Sequence, residues 1–191
     1  MRVQTLEVDL SAAEAATHVL DVAEERLGSL SILINNATYS TRDDYRSLDA
    51  ATLDAHYALN IRAPMLLSTQ FAHRYAGGPG GRIISLASGP TLGPMRGELS
   101  YATTKAAIEA FTRLLAVEVA SKQITVNAVN PGPTDTGWMT DEIKEELRPR
   151  FPFGRMGLPG DVARLIAWLA TDDAAWITGQ VIHSEGGFVR S

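Results

Sequence analysis

The chain contains no cysteine. Disulfides and thiol catalysis are therefore excluded, and the composition suits a reducing compartment such as the cytoplasm. No apolar run approaches the ~18 residues that a membrane span needs. Met1-Arg2 leads into a strand-like segment without the apolar core of a signal peptide. Basic residues are not in excess: 17 Lys and Arg stand against 22 Asp and Glu, a net charge of −5. That balance argues against nucleic acid or an anionic membrane as the main partner. The four histidines (His18, His56, His73, His183) show no ligand spacing, so no metal site is expected. What is present is ordinary for a soluble globular protein: 45% hydrophobic and 20% charged over 191 residues, enough for one domain with a substantial core.

Strand-like and helix-like segments alternate, the pattern of a parallel α/β sheet. Strands are expected at VQTLEVDL (3–10), SILINNA (31–37, of the fully buried type), RIISLAS (82–88), ITVNAVNP (124–131) and GQVIHSEGG (179–187). Helical patterns run from a capping box at Ser11 and Glu14 to about Leu27, and over about 50–75, 100–121 and 161–170. Ala102, Ala106, Ala107, Phe111, Leu114 and Leu115 supply the apolar face expected for the third of these. The acidic DEIKEEL at 141–147 reads as the solvated face of a short helix within an otherwise irregular stretch. No repeat or linker divides the chain. Asp9, Asn35-Asn36, Ser88 and Pro131-Gly132 fall at strand ends, and ligands of such sheets bind outside the carboxyl ends of the strands.

Tyr101 and Lys105 lie four residues apart, on one face of a helix. A tyrosine hydroxyl ionises near pH ~10 and is a poor acid or base at neutral pH. A lysine ammonium one turn away stabilises the phenolate and lowers that value. Ser88, thirteen residues before Tyr101, is placed to hold a substrate oxygen while the tyrosine gives or takes its proton. Pro64 lies four residues after Asn60 and has no N–H, so the Asn60 carbonyl loses its helical donor and becomes a site for an ordered water. Each residue alone also has a plainer reading: Ser88 as a turn residue, Asn60 as a hydrogen-bonded helix residue, Asp9 as part of a helix cap.

Together, and in this order, these residues resemble the Ser…Tyr-x-x-x-Lys site of the short-chain dehydrogenase/reductase family, and the resemblance covers essentially the whole chain. It implies a Rossmann-like, doubly wound parallel α/β sheet, an NAD or NADP cofactor, and hydride transfer between that cofactor and a small carbonyl or secondary alcohol. The implied catalytic residues are Asn60, Ser88, Tyr101 and Lys105. The implied cofactor-binding residues are Asp9, Leu10, Asn36, Ala37, Tyr101, Lys105, Pro131, Gly132, Thr134 and Thr136. NPGPTDTGWM and the ITGQVI…GG ending resemble the bacterial 3-oxoacyl-thioester reductase type, which implies an acyl-chain ketone. The helices at 50–75 and 100–121 resemble those through which the family forms homodimers or homotetramers. The segment at about 133–160, with Trp138, Met139, Phe151, Phe153 and Met156, is either a substrate lid or an ordinarily packed surface segment.

The chain departs from the family pattern in three places. Thr38 stands where glycine is usual, SEGG at 184–187 stands where DGG is usual, and no glycine-rich dinucleotide fingerprint is found. The chain starts at what resembles the family's third strand, so the first βαβα portion, on the order of 50 residues, is expected to be absent. That start predicts an unpaired first strand and an exposed apolar sheet edge. It also leaves open a second function, a non-catalytic remnant that binds a partner through the oligomer helices.

Overall fold

Four parallel strands form one sheet in the computed structural model, which describes residues 3–190. Met1 and Arg2, read above as leading into the first strand, lie outside the described residues. The strands are β1 (Ile32–Asn35), β2 (Gly81–Leu86), β3 (Ile124–Asn130) and β4 (Val181–His183), in the order β1-β2-β3-β4. Their register aligns Asn35 with Ser85, Leu86 with Val129, and Asn130 with His183, so the carboxyl ends share one edge. Parallel neighbours require crossovers. These are α2 (Ala50–Tyr57) with α3 (Ala63–Arg74), then α4 (Leu99–Glu118), then α5 (Asp141–Leu147) with α6 (Pro159–Leu169). A further helix, α1 (Ala15–Leu27), precedes β1 and packs on α3.

Side chains alternate across a strand, and the core divides accordingly. Ile83, Ile124 and Val126 join Leu20, Leu67, Phe71, Leu115 and Val119 on the face covered by α1, α3 and α4. Ile84 and Val129 join Leu169 and Ala174 on the opposite face, beneath α6. All seven residues of β3 are buried, as a central parallel strand covered on both faces requires.

Several expectations change at the amino-terminal side. Residues 3–9 are not a strand but irregular chain, because a strand persists only with a ladder partner and none adjoins this segment. Asp9 is therefore not a strand end. Ser11 does not cap α1: its N–H and hydroxyl both donate to Asp9 Oδ1, at 2.8 and 2.7 Å, and the helix starts after Glu14 without a side-chain cap. Nor is β1 fully buried. Leu33 packs on the first core, but Ile32 and Ile34, on the opposite face of the strand, are 44% and 45% exposed. The expected apolar edge is thus present.

The 50–75 helix is interrupted. Residues 58–62 form a π turn, in which the Ala63 N–H donates to the Ala58 carbonyl just before the donor-less Pro64. In α4 the buried stripe is Ser100, Thr104, Lys105, Ile108, Glu109, Thr112, Leu115 and Ala116. Leu114, expected inside, points outward with Val117. Among the described residues no helix is long and apolar enough to cross a membrane, and no cluster of metal-ligating side chains forms.

Candidate active site

Asn60 is held inside the π turn by four hydrogen bonds. Its Oδ1 accepts from the Tyr39 N–H (2.7 Å) and the Thr38 hydroxyl (3.0 Å), and its Nδ2 donates to the Tyr39 carbonyl (2.8 Å) and Thr104 Oγ1 (3.1 Å). Thr38, the residue in the glycine position, thus anchors the asparagine. Thr104 in turn donates to the carbonyl of Tyr101, at 2.9 Å. Asn60 is thereby coupled to the first turn of α4, which carries Tyr101, with Lys105 one turn on. Sequence reasoning marked Thr38 only as a departure from glycine, and Thr104 not at all. A polar residue on the buried face of α4 was the available signal for Thr104.

Lys105 is 4% exposed, and its Nζ donates to the carbonyl of Leu86 at 2.7 Å, at the carboxyl end of β2. Desolvation lowers its pKa to about 8. Burial pushes the Tyr101 hydroxyl up, the Ser88 hydroxyl pulls it partly back, and the Glu98 carboxylate raises it further. The Ser88 hydroxyl makes a weak hydrogen bond to Met95 Sδ at 3.9 Å. This corrects the expected lysine effect. Lys105 Nζ lies 5.7 Å from the Tyr101 ring centroid, and burial of the phenol dominates, so Tyr101 is a neutral proton donor at physiological pH.

The expected cofactor-binding residues divide into two groups. Pro131 and Gly132 follow β3 directly, in contact with buried Asn130, whose Oδ1 accepts from the Gly132 N–H at 2.9 Å. Gly132 has φ +63°, the left-handed region that favours glycine. Thr134 Oγ1 turns back to the carbonyls of Pro131 (3.3 Å) and Gly132 (3.2 Å), while Thr136 is exposed. With Tyr101 and Lys105, these residues lie about the carboxyl ends of β2 and β3. Asn36 and Ala37 are exposed just past β1. Asp9 is exposed with its carboxylate engaged by Ser11, and Leu10 packs its side chain on the core. The adjacent Asn35 carries the contacts instead: its Nδ2 donates to Ser68 (3.0 Å) and Ser85 (3.1 Å). Its buried Oδ1 has no partner.

Cofactor fit can be judged from the donors present. Lys105 spends one of three ammonium protons on Leu86, which leaves donors for a ribose or a substrate oxygen, and the Gly132 backbone admits close approach. These features fit a nicotinamide ribose. The pyrophosphate is a different matter, since no glycine-rich strand-to-helix turn is found among the described residues.

The 133–160 segment forms a folded flap. The Asp135 N–H donates to the Gly157 carbonyl (2.9 Å), Lys144 pairs with Asp135 (2.9 Å), and Thr140 caps α5. Met139 and Phe151 are buried, whereas Trp138 and Phe153 face solvent. A hollow of about 170 Å³ beneath 151–157 is lined in part by Phe151, Phe153, Met156 and Glu185, and does not reach Ser88 or Tyr101.

Residues 1–189 match the protein family described as Enoyl-(Acyl carrier protein) reductase. An uncharacterized oxidoreductase, YjdA of Bacillus subtilis (strain 168), is 56% identical over 192 residues, covering 100% of this chain and 76% of that protein. The 3-oxoacyl-[acyl-carrier-protein] reductase FabG of Pseudomonas aeruginosa is 37% identical, covering 97% and 76%. Among solved structures, the angucycline C-6 ketoreductase LanV with bound NADP superposes with a TM-score of 0.89 at 30% identity, covering 97% of this chain and 75% of that one. The chain thus spans about three quarters of these relatives. The parallel sheet, the order of the site residues and these matches agree: the chain belongs to the short-chain dehydrogenase/reductase family of oxidoreductases.

Proposed function

We propose that the chain catalyses hydride transfer between NADP or NAD and a carbonyl or secondary alcohol substrate, with a 3-oxoacyl thioester as the leading substrate class. One observation carries this reading: buried Lys105, one turn after Tyr101 on α4, is anchored to the Leu86 carbonyl at the carboxyl end of β2, two residues before Ser88. When bound, the reduced nicotinamide supplies a hydride to the carbonyl carbon. Ser88 donates a hydrogen bond to the substrate oxygen. As the C=O π bond breaks, Tyr101 transfers its hydroxyl proton to the developing alkoxide, giving the alcohol. Lys105, one turn away and with its pKa near 8, returns a proton to the resulting phenolate. Asn60 fixes the α4 first turn through Thr104. Pro131, Gly132, Thr134 and Thr136 would hold the nicotinamide, Asn36, Ala37, Asp9 and Leu10 the adenosine side, and residues 133–160 would cover the substrate.

The substrate class rests on the FabG relative, and the cofactor on LanV and on an NADPH-dependent aldehyde reductase of Arabidopsis thaliana that is 35% identical over 198 residues. The outward apolar pair Leu114 and Val117 on α4 supports a homodimer or homotetramer, and the cysteine-free composition supports the cytoplasm. A second reading, a non-catalytic chain that binds a protein partner, is favoured by the uncovered Ile32 and Ile34.

Titration of NADH and NADPH, followed by nicotinamide fluorescence and by reduction of a 3-oxoacyl thioester, separates the two readings. Saturable binding and turnover are expected, with Tyr101→Phe lowering kcat by about 10²–10⁴-fold while cofactor binding persists. A folded chain that binds neither nucleotide supports the second reading instead.

A further inference from the structure

Glu185 stands in SEGG, and its longer side chain is used on both sides. Oε1 accepts from Asn130 Nδ2 at 2.8 Å, and Oε2 accepts from Arg190 Nη1 at 2.8 Å, with a second Arg190 contact on Oε1. The Glu185 methylenes cover the Pro131-Gly132 turn so closely that a Cβ on Gly132 would fall 2.9 Å from Cγ. Arg190 faces the other loop. A Cβ on Gly89, the residue after Ser88, would fall 2.3 Å from Arg190 Nη2, and one on Gly93 would fall 3.5 Å from Cδ. The arginine is itself held in place: its guanidinium lies 5.3 Å from the Phe188 ring centroid, Phe188 packs on Phe151, and the Val189 N–H donates to the Arg150 carbonyl. A bidentate guanidinium–carboxylate pair with little solvent access is stronger and more directional than an exposed ion pair.

We propose that Glu185 and Arg190 are positioning residues, a carboxyl-terminal latch that fixes the Ser88 loop against the Pro131-Gly132 turn and so sets the width of the cleft between them. The proposal rests on the reductase reading for its catalytic consequence, but the latch itself is a property of the two loops. It also explains the glycine at 89. Its φ lies outside the left-handed region, so alanine suits the backbone there, and the three atoms nearest the added methyl group all belong to the Arg190 guanidinium.

The test is hydrogen exchange of the full chain over 87–97 and 130–137, in parallel with kcat and KM for carbonyl reduction. Arg190→Ala and Gly89→Ala are each expected to accelerate exchange in both segments by about tenfold, with β3 core amides unchanged. Arg190→Lys should restore part of the protection, since it keeps the charge and loses the fork. Gly89→Ala should add nothing in the Arg190→Ala background, because both act on one contact. In the catalytic arm, kcat should fall about tenfold in both single variants, with thermal stability retained. Unchanged exchange in both segments, or full additivity of the two substitutions, overturns the latch. An inactive wild-type chain whose loops still respond to Arg190→Ala overturns the reductase reading and supports the latch, so the two failures are distinguishable.

Discussion

β1 and β3 have closely similar sequences, ILIN and ITVNAVN, yet they occupy opposite environments. β3 is paired on both sides, is covered by α4 on one face, and is buried along its whole length. β1 ends the sheet and shows an alternating pattern of exposure. The same apolar alternation therefore gives a core strand or an edge strand, depending on which helices reach it. The chemistry follows this division: Lys105 on α4 bonds to the end of β2, Ser88 follows β2, and the Pro131-Gly132 turn follows β3.

The comparison is tested most severely by making one substitution in both strands. Ile124→Ala in β3 should cost about 2–5 kcal/mol in urea unfolding, the usual range for a buried isoleucine that leaves a cavity. Equal costs at Ile124 and Ile34 would break the distinction. A second test uses the charge buried against β2. Below pH 8 Lys105 is protonated in both the folded and the unfolded chain, and its burial penalty is fully present. Between about 8 and its ordinary value of 10.5 the unfolded chain holds the extra proton, so stability rises with pH. The rise attributable to this group is roughly 3 kcal/mol, and it should vanish in Lys105→Met. A wild-type and a Lys105→Met stability profile that run parallel from pH 7 to ~11 would contradict the assigned burial.

Asn60→Ala should cost about 1–3 kcal/mol, because Thr104 and the Tyr39 backbone lose their partners. It should also lower turnover under saturating substrate through the displaced α4 first turn, measured beside the same variant's melting temperature. The smallest effect is expected at the sheet edge. Ile34→Thr should change stability by less than ~1 kcal/mol while reducing concentration-dependent association in light scattering. A large loss of stability there would mean that β1 is covered in solution.

How much of this was legible in the sequence follows from the same contrast. The segments that became β2 and β3 were read within a residue or two and α4 within three, because periodicity reports local conformation and each found the partners it needed. Residues 3–9 carry an equally good strand pattern and form none, since pairing is a property of the neighbour. Leu114 was assigned to the core because it is apolar, whereas the buried stripe of α4 takes Thr104, Lys105, Glu109 and Thr112. Polar residues tolerate burial only with specific partners, which a pattern of hydrophobicity does not reveal. At the site, Tyr101, Lys105 and Ser88 were found by spacing and are together in space. Asn35 was passed over for Asn36 because two adjacent asparagines cannot be told apart until the strand's facing is known. Glu185 looked like a minor variation, and its reach to Arg190 becomes visible only once the chain end is folded back.

The π turn at 58–62 has one more consequence, which concerns helical phase. An extra residue in an α-helix rotates everything after it by about 100°. α3 is thus rotated in phase relative to α2. Without the insertion, Ser68 and Phe71, which now meet Asn35 and the core, would swing toward a different side. Deleting a single residue from this turn would therefore do more than remove a bend. It would unscrew α3 from the sheet while leaving its helical content intact, a change visible to near-ultraviolet but not far-ultraviolet dichroism.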